Sequence, residues 1–296
     1  MSQLIDNLNT IKSIKTDIKT AIENKGVDMT GVSFPGYASK IGEISGGSGW
    51  DQKSVTEGAV EIINLDNPAS FVASSAFYKN KKIQTVNLPY ATSVGGSAFY
   101  WCTSLSQVSL PMCSYINNSA FYLCESLSQI SLPACEYIGE AAFARCSSLS
   151  QISLPVCSYI DYQVFQECSS LSQISLPKCS YIHTWAFWMC YSLNQVSLPV
   201  CSIISDRAFQ DCSSLSQISL PICSIIGYNE FDGCSSLSII TIGYSGVCSL
   251  KNSDAFNSTQ ITSSTGSIYV PTSLVESYKS AKNWSYFSTQ IFPISE

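Results

Sequence analysis

From Cys102 to Cys234 a cysteine stands at every eleventh position, and Leu-Pro recurs at twice that interval, starting at Leu88, Leu110, Leu132, Leu154, Leu176, Leu198 and Leu220. A repeat of this length is one coil of a solenoid, stacked on its neighbours and unable to bury its apolar face alone. Such a chain grows in one dimension. It has no single enclosed core to surround a catalytic pocket and offers long faces instead.

The repeat reads LPxCSYIxxxAFxxCSSLSQIS. Leu127, Ile130 and Leu132 alternate with Gln129 and Ser131, the period of a short strand with one buried face. Copies stacked about 4.8 Å apart make a parallel sheet with Gln and Ser ladders outside. Proline follows the strand, where loss of a backbone donor matters least. Cys113 to Ile116 forms a second extended piece. Ala120-Phe121-x-x-Cys124 has apolar residues at helical spacing, which predicts one short turn of α- or 3₁₀-helix. Phenylalanine marks this slot at Phe77, Phe99, Phe121, Phe143, Phe165, Phe187, Phe209, Phe231 and Phe256, so about nine coils are expected, the first and last irregular. Asn80 stands in for the first cysteine and Ala91 for another.

Only 12% of residues are charged, so Ser, Thr, Asn, Gln and Tyr must cover the surface. The net charge of −6 arises in the repeats, and no basic run occurs, which argues against nucleic acid or an anionic membrane as partner. No stretch approaches the ~18 apolar residues of a membrane span. The opening MSQLIDNLNTIKSIK lacks the apolar run of a signal peptide, so the expectation is a chain made in the cytosol and released, if at all, by a route other than Sec.

The fourteen cysteines fall into two slots, each repeated once per coil. Each slot stacks on its own copy, and a small, weakly polar side chain suits a reduced core ladder better than disulfides. There is no CxxC and the sole histidine is His183, so no metal is expected. Neither a repeated catalytic triad nor a Gly-rich phosphate loop occurs, so neither catalysis nor a cofactor is expected.

The frames AFxxC-x-x-L-x-x-I-x-L-P, such as Ala142-Phe143, Cys146, Leu149, Ile152, Leu154 and Pro155, resemble the BspA-like, or Treponema-type, leucine-rich repeats over roughly residues 60–263. The resemblance implies a leucine-rich-repeat solenoid, mainly β with short helical turns, used for adhesion and recognition and not for catalysis. It does not fix the ligand. SIYVPTSLVESYKSAKNWSYF resembles the segment that closes such repeats. Ile268 to Val270 adds a last strand, Pro271 starts a helix carrying Leu274 and Tyr278 on one face, and Trp284 plugs the open end.

At the other end, Leu4, Leu8, Ile11, Ile14, Ile18 and Ile22 share one helical face, with Ser2 to cap the helix and Gly26 to stop it. An Ile-rich seam favours trimers, although Lys15 interrupts the tightest heptad reading. The other reading folds this helix back onto GVSFPGYASKIGEI. The segment IKTAIENKGVDMTGVSFPGYASKIGEI resembles the N-terminal part of tail-associated proteins from phages of gut bacteria. That resemblance implies a virion location and other tail proteins as partners. The expected organisation is an attachment segment over 1–45, a Gly/Ser linker over 46–58, the solenoid over 59–263 and the cap over 264–296.

Within the coil, three residues before each Ala-Phe and two after it vary freely. These slots, with the neighbouring Tyr191, collect Tyr100, Trp101, Tyr122, Tyr162, His183, Trp185, Trp188, Met189, Tyr191, Arg207 and Tyr228. Rigid aromatics mixed with small polar residues are the vocabulary of binding surfaces. Relaxed drift at exposed turns is the competing explanation. The rival surface is the strand face with Gln107, Gln129, Gln151, Gln173, Gln195 and Gln217, whose regularity suits a repetitive ligand such as a glycan or simply a solvated ladder. The function expected is a phage-tail receptor-binding protein that recognises a bacterial surface glycan or protein. A cell-surface adhesin of a bacterium or protist, and a spacer without a ligand, are the alternatives.

Overall fold

The computed structural model describes residues 62–64 and 71–294. The expected N-terminal helix, its trimeric seam and the Gly/Ser linker lie outside the described residues.

The described chain is a parallel β-solenoid of about ten coils. Its Gln-x-Ser strands stack in register, Gln107 on Gln129 and Gln129 on Gln151 in one sheet and Gln173 on Gln195 in the next, with the serine two residues on following the same rule. At the C-terminal end the ladder changes character, because Gln217 pairs with Ile239 and Ile239 with Ser267. A second ladder of nine two-residue strands runs from Phe71–Val72 to Ser249–Leu250 and brings Tyr115 onto Tyr137 and Tyr159 onto Tyr181. A 22-residue coil returns each position to its own copy, so each frame side chain meets its own kind one coil away.

The core is built from these columns. The phenylalanines from Phe99 to Phe256 are fully buried and stack face to face, with centroids 5.0 Å apart at Phe187–Phe209 and 5.9 Å apart at Phe209–Phe231. Such ring pairs contribute about 0.5–1.5 kcal/mol each beyond their buried area. All fourteen cysteines are free and buried. Those of the first slot donate Sγ–H to the phenylalanine carbonyl of the preceding coil, as Cys124 does to Phe99 at 3.1 Å. Those of the second bond within their coil, Cys135 to Tyr137 O at 3.3 Å. Burial pushes most of the thiols up, Cys146 to about 12 and Cys157 to about 11, whereas the hydrogen bond with Cys248 holds Cys223 below its ordinary value.

The Ala-Phe stretch is where the local structure differs from the sequence expectation. A short helical turn occurs in the last coil, Ser253–Phe256. In the coils before it, the same positions form linked β-turns. Ala120 N bonds to Asn117 O, Tyr122 N to Ser119 O and Cys124 N to Phe121 O. The amides between them, Ser119, Phe121 and Leu123, donate instead to Glu140, Ala142 and Ala144 of the next coil. A helix would consume every amide within one coil. The alternation spends half of them on stacking, and it requires a left-handed residue at the third position of each outer turn, Ser119 (φ 55°) and Leu123 (φ 59°).

The C-terminal end is closed as anticipated. Trp284 and Tyr278 are buried, and the indole lies 5.9 Å from the last stacked ring, Phe256. Polar ends of the cap satisfy the final coil: Trp284 Nε1 donates to Cys248 O at 2.6 Å, Cys248 N donates to the Tyr278 hydroxyl at 2.8 Å, and Asn283 Nδ2 donates to Leu250 O at 2.7 Å. Ser267–Val270 and Ile291–Pro293 extend the sheet by two strands. Among the described residues no helix is long and apolar enough to cross a membrane.

Candidate functional site

The linked turns line up five variable columns on one face of the solenoid. Two of them carry the left-handed residues. One reads Ser97, Ser119, Ala141, Gln163, Trp185, Arg207, Asn229; the other reads Trp101, Leu123, Arg145, Glu167, Met189, Asp211, Gly233. All have positive φ, yet only Asn229, Asp211 and Gly233 are types that accept this conformation readily.

The coils around Trp185 hold the densest aromatic group. Trp185 lies 5.4 Å from Tyr162 and 6.1 Å from Trp188, centroid to centroid. His183 meets Tyr162 edge-on at 5.9 Å and Tyr181 at 5.8 Å, and Tyr181 stacks on Tyr159 at 5.3 Å. The guanidinium of Arg207 covers Trp185 at 5.9 Å. Trp188 Nε1 donates to Asp211 Oδ2 at 3.2 Å. The two tryptophans are half-buried, although turn positions beside a core phenylalanine predict free exposure. Side chains one coil apart are close enough to lean on each other, and each bulky group shields the next. Burial lifts the Tyr162 phenol above its ordinary range, with the Glu140 carboxylate adding to it.

The other candidate residues divide among separate places. Met189 and the exposed Tyr191 line a depression of about 440 Å³ with the Arg145–Glu167 ion pair (3.1 Å). Tyr228 is exposed, its amide held by Asp206 Oδ1 at 3.0 Å. Tyr100, Trp101 and Tyr122 lie several coils away. Tyr100 sits between Tyr78 at 5.0 Å and Tyr122 at 4.9 Å.

Some participants escaped the sequence reading. Tyr159 and Tyr181 occupy a frame position, two residues after a cysteine, and their constancy between coils disguised them as filler. Lys79 and Lys81 approach Trp101 from the preceding coil, a contact visible only once residues 22 apart are laid side by side. The Gln/Ser strand face carries a groove of about 950 Å³ lined by Gln107, Gln129, Gln151, Gln173 and Gln195 with their serines. No charged residue lines it. Among the described residues no group of His, Cys, Asp and Glu is placed to hold a metal ion.

Residues 70–194 and 158–281 match the BspA type leucine rich repeat region in six copies. Among solved structures, a leucine-rich repeat protein from Bacteroides ovatus is similar at 21% identity over 71% of this chain and 63% of that chain, with a TM-score of 0.53. The chain therefore spans under two thirds of that protein's length. The T. pallidum leucine rich repeat protein is similar at 27% identity over 52% of this chain and 76% of that one, with a TM-score of 0.49. A leucine rich cell surface protein from Faecalibacterium prausnitzii is similar at 22% identity over 76% of each chain, with a TM-score of 0.44. The search of curated proteins returned no match. With the frame cysteines, the stacked phenylalanines and the repeat match in agreement over most of its length, the chain belongs to the BspA-type leucine-rich repeat family.

Proposed function

We propose that this protein is a recognition protein of a phage tail that binds a bacterial surface glycan or protein through the turn face of its solenoid, with Tyr162, His183, Trp185 and Trp188 at the centre. The left-handed slots carry this reading. Each costs a non-glycine residue about 1–2 kcal/mol, so turns drifting under folding constraints alone would collect Gly, Asn and Asp. This chain instead holds Trp101, Arg145, Trp185, Met189 and Arg207 there. Bulky side chains kept against a conformational cost support selection for what those side chains touch. The segment over residues 4–22 would join the protein to itself as a trimer and to other tail proteins. The resemblance of residues 18–44 to phage tail-associated segments supports the link to other tail proteins.

The test is binding of the purified protein to whole bacteria and to their isolated surface glycans, with Trp185, Trp188 and Tyr191 each replaced by Ser. Loss of binding with unchanged melting supports the turn face. The Gln/Ser groove is a second reading, favoured by its size and its lack of charge. Binding that survives the triple change and is lost when Gln173, Gln195 and Gln217 become Ala moves the site to the strand face.

A further inference from the structure

We propose that Trp101, the Tyr78–Tyr100–Tyr122 ladder and the ammonium groups of Lys79 and Lys81 form a binding site for an acidic saccharide, a pyranose that carries a carboxylate. The inference rests on reading the turn face as a recognition surface, but the site is separate from the Trp185 group.

Local sequence builds it. Asn80 occupies the slot that is cysteine in the following coils, and it is buried. Its Oδ1 accepts from the amides of Lys82 (3.0 Å) and Ile83 (3.2 Å), which pins the bend that the two lysines flank. Lys79 and Trp101 share one of the left-handed columns, at φ 60° and 59°. As a result Lys79 Nζ lies 5.2 Å and Lys81 Nζ 4.9 Å from the centre of the same indole ring, and Lys79 is also 4.9 Å from the Tyr78 ring. The tyrosine rings beside them stack at 5.0 and 4.9 Å.

Two like charges gathered over one ring repel each other, and the ring quadrupole offsets only part of that. Two coils along, Arg145 has its own carboxylate in Glu167 at 3.1 Å. Lys79 and Lys81 have no ion-pair partner among the described residues. The site therefore has cationic capacity to spare beside an aromatic platform. A carboxylate takes up the first through charge-assisted hydrogen bonds, and the apolar C–H face of a pyranose covers the second. A neutral sugar uses only the rings, and a bare anion only the lysines. A nucleic-acid strand would also find rings and cations, but a protein with a net charge of −6 repels a polyanion beyond this small patch.

The experiment titrates the full-length protein with sialyllactose against lactose, and with oligogalacturonate against its methyl ester, read by calorimetry and tryptophan fluorescence. In at least one pair the acidic member should bind about tenfold or more tighter than the neutral one, a difference that added salt erodes. Lys79→Gln with Lys81→Gln should abolish the difference with unchanged melting, and Trp101→Ser should abolish binding of both members. Equal affinity within both pairs, no binding of either acidic member at millimolar concentration, undiminished binding by the double lysine variant, or equally tight binding of a single-stranded oligonucleotide would each overturn the site. Cell binding that depends on Trp185 and Trp188 without any acidic saccharide bound rejects this site and keeps the recognition reading. Saccharide binding lost in the lysine variant while no turn-face variant alters cell binding does the reverse.

Discussion

Glu230 reaches across one coil to Ala208, its Oε2 accepting the Ala208 amide at 3.3 Å in a column that is alanine in most other coils. The side chain is fully buried and its Oε1 has no hydrogen-bond partner. Burial holds the carboxyl well above its ordinary value near 4.5, against the pull of the Ala208 and Phe209 amides, and Cys223 and Asp206 push it the same way as burial.

A carboxyl so placed makes stability depend on pH. A raised pKa means that the fold keeps a proton which the unfolded chain has released. The stability associated with that proton is full below about pH 4.5 and is lost as pH rises toward the folded pKa. Glu230→Ala removes both the orphaned oxygen and the titration. It should raise Tm by about 2–6 °C at pH 8, corresponding to about 1–2 kcal/mol, and by clearly less at pH 4. Melting curves of both proteins at the two pH values decide it. An equal shift at both would remove the titration from the account.

The cysteine ladders should be chemically quiet. Only the thiolate attacks, and burial pushes Cys102, Cys146 and Cys179 up to about 12. A thiol reagent at pH 8 should label the native protein slowly and the urea-unfolded chain completely within minutes. Peptide mass spectrometry that finds a regular set of inter-coil disulfides would contradict the reduced ladders.

At Met189 stability and recognition should part. Its backbone is left-handed, φ 59°, so Met189→Gly relieves strain and should leave stability unchanged or raise it by about 1 kcal/mol. Replacing Trp185, Trp188 and Tyr191 with Ser loses the ring contacts between Tyr162, Trp185 and Trp188 but leaves the phenylalanine column intact. Its effect on Tm should be small, and its effect on cell binding large. A tryptophan desolvated at an interface centre commonly contributes about 2 kcal/mol or more, roughly thirtyfold in affinity. Calorimetry and cell-binding assays on the same preparations check both halves.

Assembly should depend on the apolar stripe of residues 4–22. Light scattering is expected to find the full chain trimeric and residues 50–296 alone monomeric. A monomeric full-length protein at micromolar concentration would favour the helix folded back on its own segment.

The interval between leucine-prolines was enough to define the coil, its strand face and its core columns. Strict periodicity in a solenoid converts sequence spacing directly into contact, so Phe121 on Phe143 and Gln129 on Gln151 needed no other information. The variable face was legible only as a list of residues. Whether Ala-Phe lies in a helix or in linked turns depends on whether its amides bond within one coil or to the next, and a local pattern cannot reveal that choice. The left-handed slots follow from it, and with them the meaning of Trp185 and Met189. Side-chain meetings between coils also needed coordinates. The indole of Trp185 leans on Trp188 and under Arg207 instead of standing free, and Lys79 and Lys81 converge on Trp101, because long side chains choose among neighbours in three columns at once. Period alone determines which residues share a column. How far a side chain crosses from its column to the next is decided by packing.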